Sequence, residues 1–475
     1  MVRKRVQVIL ISVVLLIPCF WQKRIQAGDL SSHLYNAWLE TEILAGRGDG
    51  LELARPATNV LFDRGLVLLT EIGGPGLAEH VMVPLVVLVF FWGAVAWIQR
   101  ASGDAWFLMP CLAMSAYGWV FHVGLLNFYL ATGLAFWVLA LLWDARPGWR
   151  PVCVALPLLA AGYAAHALPV VWCCCVLAYA WTARHVPERW RLWLPAAAVA
   201  LILLGRGLLV ANFRTEAASN QLMEMWGGQQ FWVHGTKYVA PVLVLGVLWG
   251  IAFCRFFYSR PMGAIVVNLP LQLCVVMAAA ILACPTRVEL SAYRIPLSLI
   301  TERMTLPLTV LICVMLSQIR PAAWQAWALG AVAALQFSFL YVDSRALNWW
   351  EDQVVQALAA VPHGARVVSS LHDPGSQALL WNHAVDRACI GRCYSYQNYE
   401  PGSLQFRVQA RRPNGIVMHD SLDAGKAERG EYVVRAGDLP LYQVTACADG
   451  RLCAKPMAAG EQLKAVRLSL LPDLW

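Results

Sequence analysis

Long apolar runs separated by short polar turns fill the first 342 residues. Runs long enough to cross about 30 Å of hydrocarbon fall at 6–22, 80–98, 105–121, 124–143, 151–166, 167–183, 190–210, 236–256, 262–284, 304–319 and 321–342. The pattern predicts about eleven membrane-crossing helices. The stretch 151–183 is read as two spans because His166 and Pro169 mark a turn at its centre; one long bent helix is the alternative. After residue 342 the pattern changes. Residues 346–361 carry apolar positions at helical spacing and predict an amphipathic helix near a membrane surface. Short runs at 365–371, 415–420, 431–437 and 440–447, bounded by turn residues, predict strands. The expected fold is an all-α polytopic membrane bundle over 1–342, with a long first outer loop at 23–79, and a small C-terminal α/β domain over 343–475.

Composition sharpens this reading. The chain of 475 residues is 59% hydrophobic and 14% charged, against about 25% charged in an ordinary soluble domain. Mean hydropathy is +0.55. A disordered chain, a small disulfide scaffold and a simple soluble enzyme are excluded. Residues 343–475 hold 14 basic and 14 acidic residues, so the net charge of +8 belongs to the first part. Its basic residues punctuate apolar runs instead of forming a stripe, which fits the positive-inside rule and not a nucleic-acid surface.

Orientation follows from those charges. With the N-terminus in the cytoplasm, the inner turns hold Arg3, Lys4, Arg5, Arg100, Arg146, Arg150, Arg184, Arg189, Arg191, Arg255, Arg260 and Arg320, against Asp104, Asp144 and Glu188. Segments 23–79, 211–235, 285–303 and 343–475 then lie outside. The first run is read as a retained span instead of a cleaved signal peptide: no clean small-residue cleavage site follows it, and ten more runs do.

Ten of the 14 cysteines fall in apolar runs and read as small packing residues. Cys389, Cys393, Cys447 and Cys453 form an even set in the tail, expected to make two disulfides in an oxidising compartment. Local pairing, Cys389 with Cys393 and Cys447 with Cys453, is the first choice among three connectivities. A metal site is the rival, although the spacings differ from the usual zinc knuckle.

The outer segments carry the candidate chemistry. Asp29 opens the first of them in GDLSSHLYNAWL, with His33 four residues on. If 30–44 is helical, Asp29 is a natural N-cap; alternatively its carboxylate takes a proton from a hydroxyl at the membrane boundary. Glu40 and Glu42 are expected in solvent. Residues 57–72 predict an interfacial helix with Asp63 and Arg64 on its wet face. Arg206 lies inside an apolar span, either binding substrate or snorkelling to the interface. Arg214, Arg287, Arg294 and Arg303 lie in outer segments, and one or more of them is expected to grip a lipid phosphate. His122 and Asn127, at a short outer turn, either line a cavity or satisfy helix ends. RACIGRCYSYQNYEPG (387–402) reads first as a disulfide-pinned loop packed on the membrane domain, and second as an acceptor-facing loop.

No Walker A sequence, GxGxxG fingerprint, HExxH or GxSxG is present, and no inner turn is long enough for a nucleotide-binding domain. The layout resembles the GT-C superfamily of membrane glycosyltransferases: one span, an outer loop opening with an acid (GDLSSHLYNAWL), many further spans and an outer C-terminal domain. FHVGLLNFYLATGLAFWVLAL (121–141) and ITERMTLPL (300–308) also look like stretches of bacterial members. The resemblance covers mainly 1–342. It implies a multi-pass protein of the bacterial inner membrane that takes a sugar from a polyprenyl-phosphate carrier to an acceptor glycan, lipid or protein on the outer face. Asp29 would be the base, and Arg206, Arg214, Arg294, Glu302, Arg303, His122 and Asn127 would bind substrate. Many members carry a second acid in the loop; here His33 or Glu40 stands in its place, which leaves divalent-metal use open although no cofactor is expected. A transporter or flippase of lipid-linked sugar, and a non-catalytic assembly protein of an envelope polysaccharide system, are the alternatives.

Overall fold

The computed structural model describes residues 2–48, 50–103, 105–144, 148–291, 294–378 and 381–468. Asp104 and Arg146, two of the inner-turn charges, lie outside the described residues, as do the side chains of Arg3 and Lys4.

Helices occupy all eleven apolar runs. Among the described residues, six are long and apolar enough to cross a membrane: Leu61–Ser102, Trp106–Val123, Ala167–His185, Glu188–Asn212, Thr236–Tyr258 and Ala323–Leu358. Arg5–Cys19, Leu126–Leu142, Trp149–Ala165 and Leu269–Ala283 are shorter apolar helices. The chain is thus a helical membrane bundle. Its core is aromatic, with Trp97 stacked on Phe136 at 5.6 Å and edge-on to Trp172 at 6.0 Å.

Three elements place segment 23–79. Helix α1 (Val2–Leu16) is followed by helix α2 (Leu30–Leu44) and helix α3 (Leu61–Ser102). Helix α3 is broken at Gly73 and Gly74. Gly74 sits at φ +82°, a conformation that only glycine adopts without strain, and Pro75 brings no N–H to the ladder. The break separates the predicted interfacial helix from the predicted span. The second break, at His166, is also where the turn residues place it: His166 is extended, and its Nδ1 accepts the Leu168 N–H at 3.2 Å.

Beyond the bundle, the last apolar run and the predicted surface helix are one helix of 36 residues, Ala323–Leu358. The change in composition at 342/343 therefore falls inside a continuous rod. Of the predicted strands, Arg366–Ser369 and Leu441–Ala446 form, and lie parallel in a four-stranded sheet. Tyr394–Ser395 adds to one edge in parallel and Leu452–Pro456 to the other antiparallel. Residues 415–420 form no strand, and 431–437 contribute only an isolated bridge at Val433. Their backbone groups are satisfied in shorter runs: Met418 donates to the Tyr396 carbonyl, and Tyr432 and Val434 bond to 460–463.

The tail shares its core with segment 23–79. Tyr35, Leu39 and Leu51 are buried with Leu347, Val354, Val367, Val385 and the Cys389–Cys393 pair. Both expected disulfides form in the local pairing, with Cα–Cα distances of 4.6 Å and 5.8 Å, inside the usual range. The 387–402 stretch is accordingly a pinned loop, packed on α2.

Candidate functional site

Asp29 stands where an N-cap residue stands, yet it does not cap. Its backbone is αR and its side chain accepts no hydrogen bond from the first turn of α2. The carboxylate lies instead 3.6 Å from Nε2 of His383, and 28% of its side-chain surface stays open. The position is fixed from below. The Gly28 and Asp29 N–H groups donate to the carbonyls of His122 and Val123 at 2.8 and 2.9 Å. Gly124, at φ +95°, lets this strand of backbone approach: a Cβ there would lie 2.4 Å from the Asp29 nitrogen. Gly124→Ala is expected to cost about 1–3 kcal/mol through strained backbone, read as a lower thermal midpoint of the purified protein.

Behind Asp29 stands a buried dyad. Nδ1 of His383 contacts Oδ2 of Asp386 at 3.1 Å, and the other Asp386 oxygen accepts from Ser395 Oγ at 2.5 Å. Burial pushes the His383 imidazole down. The Asp386 hydrogen bond and the charges of Asp386, Asp29 and Glu428 outweigh it and hold His383 up at about 9. Burial also lifts Glu428 and Glu400 to about 7. The Tyr399 ring lies 5.4 Å from that of His383.

This arrangement has a pH signature. A histidine whose folded pKa exceeds its unfolded value of 6.5 contributes stability that is fully present below 6.5 and is lost as pH rises through about 9. The thermal midpoint is therefore expected to fall between pH 6.5 and pH 9, and His383→Gln is expected to flatten that fall. An unchanged slope in H383Q overturns the assignment of the imidazolium.

Arg303, besides His383, stands within electrostatic reach of Asp29 and of Glu302. Its guanidinium is oriented by the carbonyls of Ser298 (2.7 Å) and Leu299 (2.9 Å), by Nε2 of His166 (3.2 Å) and by the face of Phe128 (5.6 Å). Leu299 itself is left-handed at φ +58°, a strained conformation for leucine. The strain sits at the residue whose carbonyl holds Arg303.

A second polar group lies one turn along α2. His33 contacts Asp63 at 2.7 Å, and Asn127 donates to the other Asp63 oxygen at 2.8 Å. Burial works against a charged His33, but Asp63 outweighs it and raises the imidazole above 6.5. Arg407 closes the group at 3.3 Å from Asp63 and 3.4 Å from Glu40, with Arg64 also on Glu40. Asp63 and Glu40 were expected in solvent; both are buried, at 5% and 2% exposure. Arg407 explains the difference, because a paired charge can be buried where a lone one cannot.

The other expected residues divide. Asn127 satisfies a helix end, its Oδ1 taking the Phe62 N–H at 2.9 Å. His122 is buried with Nδ1 at 3.1 Å from the Gln26 carbonyl and its ring 5.3 Å from that of His234. Glu302 accepts from Thr286 and Thr301 and so ties down its own segment. Arg294 donates to the Gly402 carbonyl at 3.0 Å, joining the same segment to the tail. Arg206 is exposed on Leu194–Asn212, a helix with no buried residue, and Arg214 is exposed on a short strand paired antiparallel with Arg287–Glu289. His33 and Arg303 stand within electrostatic reach of Asp29, and Arg206 and Arg214 lie on the periphery. Among the described residues, no three His, Cys, Asp or Glu side chains converge as a metal site.

Sequence reasoning missed His383, Asp386, His166 and Arg407. His166 was marked only as a turn. The other three belong to the tail, whose ordinary polarity gives no sign of which charges fold inward. Compared with protein families, curated proteins and solved structures, the chain matches none of them.

Proposed function

We propose that this chain is an integral-membrane glycosyltransferase that moves a sugar from a polyprenyl-phosphate carrier to an acceptor hydroxyl on the extracytoplasmic face. Asp29 is the general base. The acceptor oxygen attacks the anomeric carbon and its proton passes to Asp29. The bond from that carbon to the phosphate oxygen breaks, its electron pair leaves with the lipid phosphate, and the anomeric centre inverts. Arg303 supplies positive charge for the departing phosphate. The tail and the 23–79 segment lie outside, and the arginine-rich turns lie in the cytoplasm.

The observation that carries this reading is the freedom of Asp29. A carboxylate at a helix start would normally be consumed as a cap. Here it accepts no cap hydrogen bond, is partly open, and lies beside His383 and within electrostatic reach of Arg303. The test uses vesicles carrying the full chain and polyprenyl-phosphate-linked hexoses and pentoses labelled in the sugar. Transfer of label from lipid, with release of polyprenyl phosphate, is the expected result. Movement of intact lipid-linked sugar across the bilayer without bond cleavage overturns it. So does labelling that places residues 23–79 on the same side as the Arg150 turn.

A further inference from the structure

The bonds around Asp29 form a circuit that leaves α2 and returns to it. Asp29, at the start of α2, faces His383. His383 is held by Asp386, Asp386 by Ser395, and the Ser395 N–H donates to the Tyr35 hydroxyl at 3.0 Å, on α2 again. Both Asp386 oxygens are engaged and its side chain is 1% exposed, so its position is fixed. Nδ1 of His383 is used on Asp386, which leaves Nε2 for Asp29. The Cys389–Cys393 bridge closes the loop between Asp386 and Ser395. The groups facing His383 are Asp29 from the segment before α2, Asp386 from its own short helix, Glu428 from Ser421–Glu428, and Tyr399 and Glu400 from Tyr399–Ser403.

We propose that His383, held by Asp386, is a positioning residue for the transfer reaction, keeping the Asp29 carboxylate off the helix end and presented to the acceptor, so that the C-terminal segment completes the site. The inference rests on Asp29 being the base. A carboxylate released from His383 has the unsatisfied N–H groups of the α2 first turn within its own side-chain reach, and a capping carboxylate is a poorer proton acceptor for a substrate. The cation at Nε2 holds it away from them.

The test compares His383→Gln and Asp386→Asn with Asp29→Asn in the labelled-donor assay over about pH 5–10. H383Q and D386N are expected to lower kcat about tenfold, a part of the roughly 10²–10⁴-fold that a positioned acid–base group contributes, with the KM for donor nearly unchanged. Wild-type kcat is expected to fall as pH rises through about 9, where His383 loses its proton; H383Q loses that limb and D386N moves it to lower pH. A merely structural role would lower the amount of active protein and leave the alkaline limb in place. If H383Q does not fold, D386N, which keeps the side-chain shape, reads the same limb. If D29N abolishes transfer while both variants keep the wild-type limb, the positioning role is overturned and the base assignment stands. If D29N transfers at the wild-type rate, both fall together.

Discussion

Asp29→Asn is expected to reduce sugar transfer at least about a hundredfold while leaving the fold intact. A positioned general base contributes on the order of 10² to 10⁴ in rate, and the amide keeps the shape of the carboxylate without its basicity. The side chain makes no capping bond and is 28% exposed, so its replacement removes no helix-stabilising contact. The thermal midpoint should therefore change little while kcat collapses. Binding of the lipid-linked donor, followed by equilibrium retention on vesicles, should persist because Arg303 and its supports from Ser298, Leu299 and His166 are untouched. A D29N protein that retains wild-type transfer removes Asp29 from the reaction.

The second large effect is on stability. Arg407 is 3% exposed in its side chain and faces both Asp63 and Glu40. Arg407→Leu keeps apolar volume but leaves two buried carboxylates short of a cation. Breaking a buried pair from one side costs about 3–5 kcal/mol, enough to lower the unfolding midpoint by many degrees. Because Arg407 belongs to the tail while Glu40 and Asp63 belong to segment 23–79, the loss should appear as loosening of the tail, seen as faster protease cleavage after residue 358. Adding Glu40→Gln to R407L should recover part of the loss, since it removes one of the stranded charges. No recovery would mean that Arg407 acts through packing alone.

What the sequence made legible follows from what each signal measures. Apolar runs report where a helix can be buried in lipid, so the helix positions could be read directly, and turn residues marked the break at His166. Cysteine spacing reported the two local bridges. Asp29 stood out because an acid beside the first span is unusual. His383 and Arg407 did not, because a charged residue in a polar segment is ordinary, and only the tertiary fold decides whether it points inward. The same blindness put Glu40 and Asp63 in solvent: helical spacing gives a face, and says nothing of a partner some 350 positions later in the chain. Conversely, Arg206 looked significant because it interrupts an apolar run, and it lies exposed on a peripheral helix.

The separation between Asp29 and His383 also sets an order of events during synthesis. A growing polypeptide inserts its first helices and exposes the carboxylate long before the imidazole that faces it has been translated. Until the final stretch has docked onto the Leu30–Leu44 helix, the nascent protein holds Asp29 without the imidazole that faces it.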